Sequence, residues 1–312
     1  MLIFDKAPFP SCHASTVVET APGKLLAAWF GGKAEGARDV KIWQAEFDGK
    51  KWSAPVMVAE EPGFPTWNPV LFESGKGTLF LFYKAGPSPM TWSGFVKRSA
   101  DGGKTWGKPE LLPAGLLGPI KNKPIEVKGV ILAPTSVESH RAWCCWVERS
   151  TNDGKTWTRH GPIRVPGKPH GVIQPTLLVT AKGTLLALMR SRGMGVICEA
   201  ESTDGGLTWS DARPTKLLNP GSGIDAVRAS DGAFYLAFNN TSLGRSPLNL
   251  ARSADDGKTW KVIETVEEAL LGEFSYPAII QASDGKLHLV YTFNRRHIKH
   301  MVYDPMKYAA GG

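Results

Sequence analysis

A short motif recurs along this chain at a nearly constant interval: SADGGKTW at 99–106, STNDGKTW at 150–157, STDGGLTW at 202–209 and SADDGKTW at 253–260. A worn copy, FDGKKW, occupies 47–52. The closing tryptophans Trp52, Trp106, Trp157, Trp209 and Trp260 stand 54, 51, 52 and 51 residues apart. A period near that length, with several short strand-like runs per unit, is the pattern of a propeller, in which four-stranded sheets surround an axis. Within the motif the acidic or amide residue accepts backbone N–H bonds, the glycine takes positive φ, and the tryptophan packs back between strands. A residue present in every unit serves the scaffold rather than one site.

The motif S-x-D-x-G-x-T-W resembles the Asp-box (BNR repeat) of the sialidase, or neuraminidase, superfamily, and its copies span most of the chain. The resemblance implies an all-β, six-bladed propeller with the boxes on the face away from the active site. It does not by itself imply sialidase activity, because one scaffold carries many chemistries.

The unbroken period argues for one ring over residues 1–312, with no linker. No run approaches the roughly 18 apolar residues that span a bilayer, and no charged start precedes an apolar stretch. The expectation is a protein off the membrane, either cytoplasmic or a secreted form whose leader has been trimmed. Cys12, Cys144, Cys145 and Cys198 lie in or beside apolar runs without CxxC or Cys/His spacing, so buried free thiols are expected, with no metal and no cofactor. The formal charge of +8 is dispersed, with no basic helix or stripe. An acidic oligosaccharide or glycoconjugate fits that charge better than nucleic acid. A closed ring leaves no long sheet edge, so a monomer is expected.

Six segments open with a polar residue, then Pro or Ala, then an apolar run: CHASTVVE, WNPVLFE, NKPIEV, IQPTLLV, IDAVRAS and SYPAIIQ. Stacked, they place His13, Asn68, Lys123, Gln174, Asp225 and Tyr276 in one column, with steps of 55, 55, 51, 51 and 51 residues. Inner strands of a propeller line its channel, so the column predicts a ring at the channel mouth. Its six members all differ while the apolar run after them repeats, which is what an asymmetric ligand site requires. The strand that follows in each unit returns to the same face, bringing Arg190, Asn239 and Arg295 around the ring.

The family resemblance implies roles for several of these residues. Tyr276, in EFSYPAIIQ, resembles the tyrosine nucleophile; Arg190, ending LLALMR, and Arg245, before SPLNLARS, resemble two of the three arginines that hold the substrate carboxylate. Asp39, in the glycine-rich loop GGKAEGARDVKIW, resembles the acid/base, with Glu35 as its rival in the same loop. Two positions depart from the family pattern: its first arginine, in an Arg-Ile-Pro stretch, meets Cys12-His13-Ala14, and the glutamate that assists the tyrosine meets Gln174. A phenol of ordinary pKa, about 10, needs a base or a cationic field to act as a nucleophile. Ring order offers Asp225 and His13 as catalytic bases beside Tyr276. Gln174, Lys123, Asn68 and Arg295 are expected to line the substrate site, with Lys121, Arg192, Arg296 and Lys299 as further cations.

Three functions stay open at this level. The first is a sialidase-like exo-glycosidase for sialic acid or a related acidic sugar, with Tyr276 as nucleophile and Asp39 as acid/base. The second is a polysaccharide lyase or unusual glycosidase at a uronic acid, with His13 and Tyr276 as base and acid. The third is a glycan-binding propeller without turnover, for which Gln174 speaks.

Overall fold

The computed structural model describes residues 1–309. Six antiparallel sheets form the blades of a propeller, each a meander with its strands in sequence order. The innermost strands are Ser11–Ala21, Thr66–Glu73, Ile125–Val127, Val172–Val179, Asp225–Arg228 and Phe274–Gln281. Five sheets have four strands and the last has three. Along that last sheet's outer strand lies the start of the chain: Leu2 bridges Lys299, Ile3 N donates to Ile298 O at 2.9 Å, and His300 N donates to Met1 O at 2.8 Å. The ring therefore closes between the first and last blades, whose inner strands are also in contact.

Each sheet is covered on both faces by its neighbours, so the second strand of a blade reads as a continuous apolar run. Leu79–Ala85 and Phe234–Phe238 are buried at every position. The rim strand Arg213–Leu218 is largely exposed. Between blades lie discrete cores: Trp29 with Val290 and Ile298 at the closing seam, Leu26 with Leu81 between the first and second blades, and Tyr235 with Leu289 between the fifth and sixth. Burying each such side chain contributes about 1.5–3 kcal/mol.

The boxes follow the third strands and are built alike. Ser99 Oγ donates to Asp101 Oδ1 at 2.7 Å and accepts from Gly103 N at 2.9 Å, and Asp101 accepts from Thr105 N and Oγ1 at 2.9 and 2.6 Å. Ser202, Asp204, Gly206 and Thr208 repeat the pattern, as do Ser253, Asp255, Gly257 and Thr259. In the box at 150–157, Asn152 replaces the aspartate and its Nδ2 donates to Thr156 Oγ1 at 2.8 Å, reversing that one bond. At the box of 99–106 the turn needs glycine: Gly103 has φ 88°, and a Cβ on it would stand 2.5 Å from Leu26 Cδ2. These turns occupy the end of the ring opposite the starts of the inner strands.

Candidate active site

At that other end four of the six inner strands enter through a bulge. Register slips between His13 and Thr16, Trp67 and Val70, Ile173 and Thr176, and Ser275 and Ala278. One residue in each bulge has positive φ: Ala14 at 59°, Asn68 at 34°, Gln174 at 54° and Tyr276 at 53°. Left-handed backbone in side chains of this kind is uncommon and strained, and strain of this sort concentrates at functional sites.

The bulge corrects one member of the expected column. Asn68, Gln174 and Tyr276 are equivalent, but the first blade's equivalent is Ala14, and His13 is the residue before it. The pair Ala14-Ser15 stands where other blades have a polar residue and proline, so matching Ala14 to those prolines shifts the register by one. The first blade thus offers only a methyl group to the ring. His13 instead lies under the tyrosine, with ring centroids 4.1 Å apart and its Nδ1 3.0 Å from Thr292 Oγ1.

Tyr276 is buried at the centre of the group. Its hydroxyl oxygen accepts from Arg190 Nη1 at 2.9 Å and from Gln174 Nε2 at 3.3 Å. Arg190 Nη1 also lies 3.2 Å from Gln174 Oε1, which fixes the amide with its carbonyl toward the guanidinium and its NH2 toward the phenol. Gln174 N in turn donates to Ser136 Oγ of the third blade at 3.1 Å. The guanidinium carbons of Arg190 and Arg245 stand 5.9 and 5.6 Å from the tyrosine ring centre.

Two arginines flank this ring and a third, Arg295, shares a carboxylate with one of them; the three differ in their partners. Glu273 binds Arg245 Nη1 at 2.9 Å and Arg295 Nε at 2.8 Å. Those two cations hold the Glu273 carboxyl below its usual range against the opposing effect of burial. Arg295 also pairs with Glu35. Arg190 has no carboxylate within ion-pair distance among the described residues, and its Nε is buried without an acceptor. A partly buried guanidinium without a counter-ion is costly, and an anionic ligand relieves that cost.

The bases expected beside Tyr276 are not bonded to it. Asp225 is buried, and its carboxylate is occupied by Lys123 Nζ at 2.8 Å, Thr176 Oγ1 at 2.9 Å and Ile279 N at 2.9 Å. It ties the third, fourth and sixth blades together, and the same ion pair removes Lys123 from the set of free cations. Burial first, and then the charges of Arg295, Arg245, Arg190 and Lys121, hold His13 well below its ordinary value, so the imidazole is neutral. Lys121, whose pKa burial brings down to about 7, donates to Asn122 Oδ1 and Ile224 O at 2.9 Å each and to Pro277 O. Those three acceptors match the three hydrogens of an ammonium group.

Asn68 is buried at its ring position. Asp39 is exposed and accepts only from Lys33 N, at 3.1 Å; of the loop carboxylates it is Glu35 that reaches the arginines. Asn239 is a buried clamp, donating to Pro247 O and Phe274 O at 2.9 Å each. Lys299 is taken by Glu267 on the rim of the last blade.

Two acids escaped the sequence reading. Glu273 stands three residues ahead of Tyr276, and an acid at the mouth of a strand flanked by arginines was its available signal. Glu138, half-buried at the end of the third blade's second strand, has its carboxyl pushed up by burial, with Arg190 and Arg192 working against that shift. Only the neighbourhood of the fourth blade gives Glu138 meaning, so nothing local marked it. The four cysteines are unpaired, and among the described residues no group of three or more His, Cys, Asp or Glu is placed to hold a metal. No helix among these residues is long and apolar enough to cross a membrane.

The family model described as BNR repeat-like domain matches residues 23–289. No curated protein matches the chain. Among solved structures, a protein of unknown function from Dyadobacter fermentans superposes with a TM-score of 0.79 at 20% identity, over 97% of each chain. The NanB sialidase of Streptococcus pneumoniae gives 0.81 at 13% identity, over 96% of this chain and 70% of that one. The intramolecular trans-sialidase of Ruminococcus gnavus gives 0.76 at 14% identity, over 96% of both. At these identities the likeness is one of fold: a sialidase-like propeller.

Proposed function

The chain belongs to the BNR repeat-like domain family, and we propose that it is an exo-acting glycoside hydrolase of sialidase type, taking sialic acid or a related acidic sugar from the end of a glycan. The observation that carries this reading is the buried tyrosine hydroxyl held 2.9 Å from Arg190, a guanidinium with no carboxylate at ion-pair distance among the described residues. Arg190 is the primary anchor for the substrate carboxylate, through charge-assisted hydrogen bonds. Arg245 and Arg295, braced by Glu273, complete the cationic field. His13 stands where the family's first arginine is expected once the bulge is aligned, because the stretch facing Arg-Ile-Pro is then His13-Ala14-Ser15. Arg295, whose carbonyl oxygen accepts from Cys12 N at 2.8 Å, brings a guanidinium to that side of the ring.

In the first step the Tyr276 oxygen bonds to the anomeric carbon as the glycosidic C–O bond breaks, and Asp39 gives its proton to the departing oxygen. The phenol's own proton, which neither of its two hydrogen-bond donors can take, passes to the substrate carboxylate as the new bond forms. Water then reverses the sequence and releases the sugar with retention. Gln174 cannot accept a proton, so it orients the phenol and does not act as its base.

A second reading rests on a separate observation, the His13 ring packed against that of Tyr276 with centroids 4.1 Å apart. A lyase at a uronic acid would use the same arginines to acidify the C–H beside the carboxylate, with His13 or Tyr276 removing that proton. Turnover of a fluorogenic sialoside by wild type and Tyr276→Phe, beside a panel of uronate glycans followed for reducing ends and near-ultraviolet absorbance, separates the readings. Sialoside cleavage that falls at least about a thousandfold in Tyr276→Phe is the expected result. An unsaturated uronate product with no sialoside cleavage selects the lyase, and no turnover on any substrate rejects both.

A further inference from the structure

Two residues beyond Arg190, at the edge of the channel mouth, the Arg192 guanidinium lies over the indole of Trp143, 4.6 Å from the ring centre. Trp143 begins the third strand of the third blade, and His170 meets it edge-on at 6.0 Å. The same indole forms one wall of a cavity of about 670 Å³ on the flank of the third and fourth blades. Trp146 and the prolines Pro162, Pro166 and Pro169 give that cavity flat apolar walls, while Arg164 and Lys168 supply its cations against the single acid Asp211. The Arg159 guanidinium, 3.9 Å from the centre of the Trp146 ring, holds that wall in place.

We propose that this cavity is a second sugar subsite, which takes an acidic residue further along the same glycan chain whose terminal sugar occupies the mouth. The inference rests on the sialidase-type reading for the direction of the chain. Flat indole and proline surfaces suit the C–H faces of a pyranose ring, and a few polar groups in an otherwise apolar cavity fix orientation. Arg192 stacks on Trp143, which lines the cavity, and these two residues mark the route that one glycan chain would take from Arg190. The excess of cations selects a carboxylated or sulfated sugar over a neutral one.

The test compares a 4-methylumbelliferyl sialoside with an α2,8-linked sialic acid tetramer. The ratio of kcat/KM for the tetramer to that for the short substrate is expected to fall about tenfold in Trp143→Ala, through KM, and by a similar factor in the exposed charge reversal Lys168→Glu. A ratio that stays at the wild-type value in both variants overturns the subsite. A binding arm on the Tyr276→Phe background needs no turnover: the tetramer is expected to bind more tightly than sialic acid itself, and Trp143→Ala to remove about tenfold of that difference. Length-dependent binding without turnover in wild type keeps the subsite and rejects the hydrolase. Equal binding of monomer and tetramer overturns the subsite alone, and no binding of either overturns both.

Discussion

The two ends of the ring are made of the same strands and obey opposite rules. At the box end, three turns share one hydrogen-bond pattern almost atom for atom, and the fourth keeps it with an amide in place of the acid. At the mouth, equivalent positions carry Ala14, Asn68, Gln174 and Tyr276, and no two make the same bonds. Repetition at one end spreads the work of holding strands together evenly around the ring. Departure from repetition at the other gathers three arginines, a phenol and a neutral imidazole into one place. In a repeat protein, then, the place to look for chemistry is where the repeat fails to repeat.

That contrast can be broken most sharply at Arg190. Arg190→Met removes the guanidinium that lacks a carboxylate, so kcat/KM on an acidic glycoside is expected to drop about a hundredfold or more while the urea midpoint holds or rises slightly. Unchanged kinetics would mean that the mouth's asymmetry is incidental. The box end is probed by Ser99→Ala and Ser253→Ala, each leaving a buried glycine N–H without its acceptor, at a cost of about 1–3 kcal/mol in chemical denaturation. Both are expected to cost the same within about 0.5 kcal/mol and to leave turnover of the folded enzyme as it was. A large difference between them would show that the boxes are not interchangeable.

A further comparison concerns pH and sets a histidine at one end against a histidine at the other. Burial lowers His13 at the mouth and brings His300, which accepts from Trp52 Nε1 in the worn box, down to about 3. Below about 6.5 the unfolded chain protonates both rings and the folded protein does not, so the unfolded state holds more protons and stability falls as pH drops. The slope is up to about 1.4 kcal/mol per pH unit for each histidine, continuing toward the folded value. Urea midpoints between pH 7.5 and 5 measure it, with His300→Asn expected to flatten about half of it. A profile already flat in wild type would show that water reaches these rings.

Much of the architecture was legible because a propeller writes itself in short-range patterns. Ser, Asp, Gly, Thr and Trp at fixed offsets dictate each turn, and continuous apolar runs such as LFLFY and FYLAF announce strands covered on both faces. Tyr276, Arg190 and Gln174 were legible for the same reason, since each sits at a fixed phase of its repeat. His13 was misplaced because alanine can stand in a strand either as bulge residue or as strand entry, and CHAS carries no proline to mark the phase. Glu273 and Glu138 were missed because what makes them matter is arginines distant in the chain, Arg245 and Arg295 for Glu273 and Arg190 for Glu138.

By itself the sequence determined the turn chemistry, from residues a few positions apart, and the period and blade count, from the recurrence of those turns every 51 to 54 residues. It also determined which blades carry a phenol, an arginine or an amide where the repeat has no requirement. The tertiary structure decided what those groups do. It placed Asp225 in an ion pair with Lys123, left Arg190 without a carboxylate, and slid His13 beneath Tyr276. The place of His13 follows from a one-residue bulge and from closure of the ring between residues nearly three hundred positions apart, and the Asp225 pair joins residues 102 positions apart, distances at which local pattern has no hold on which charges meet.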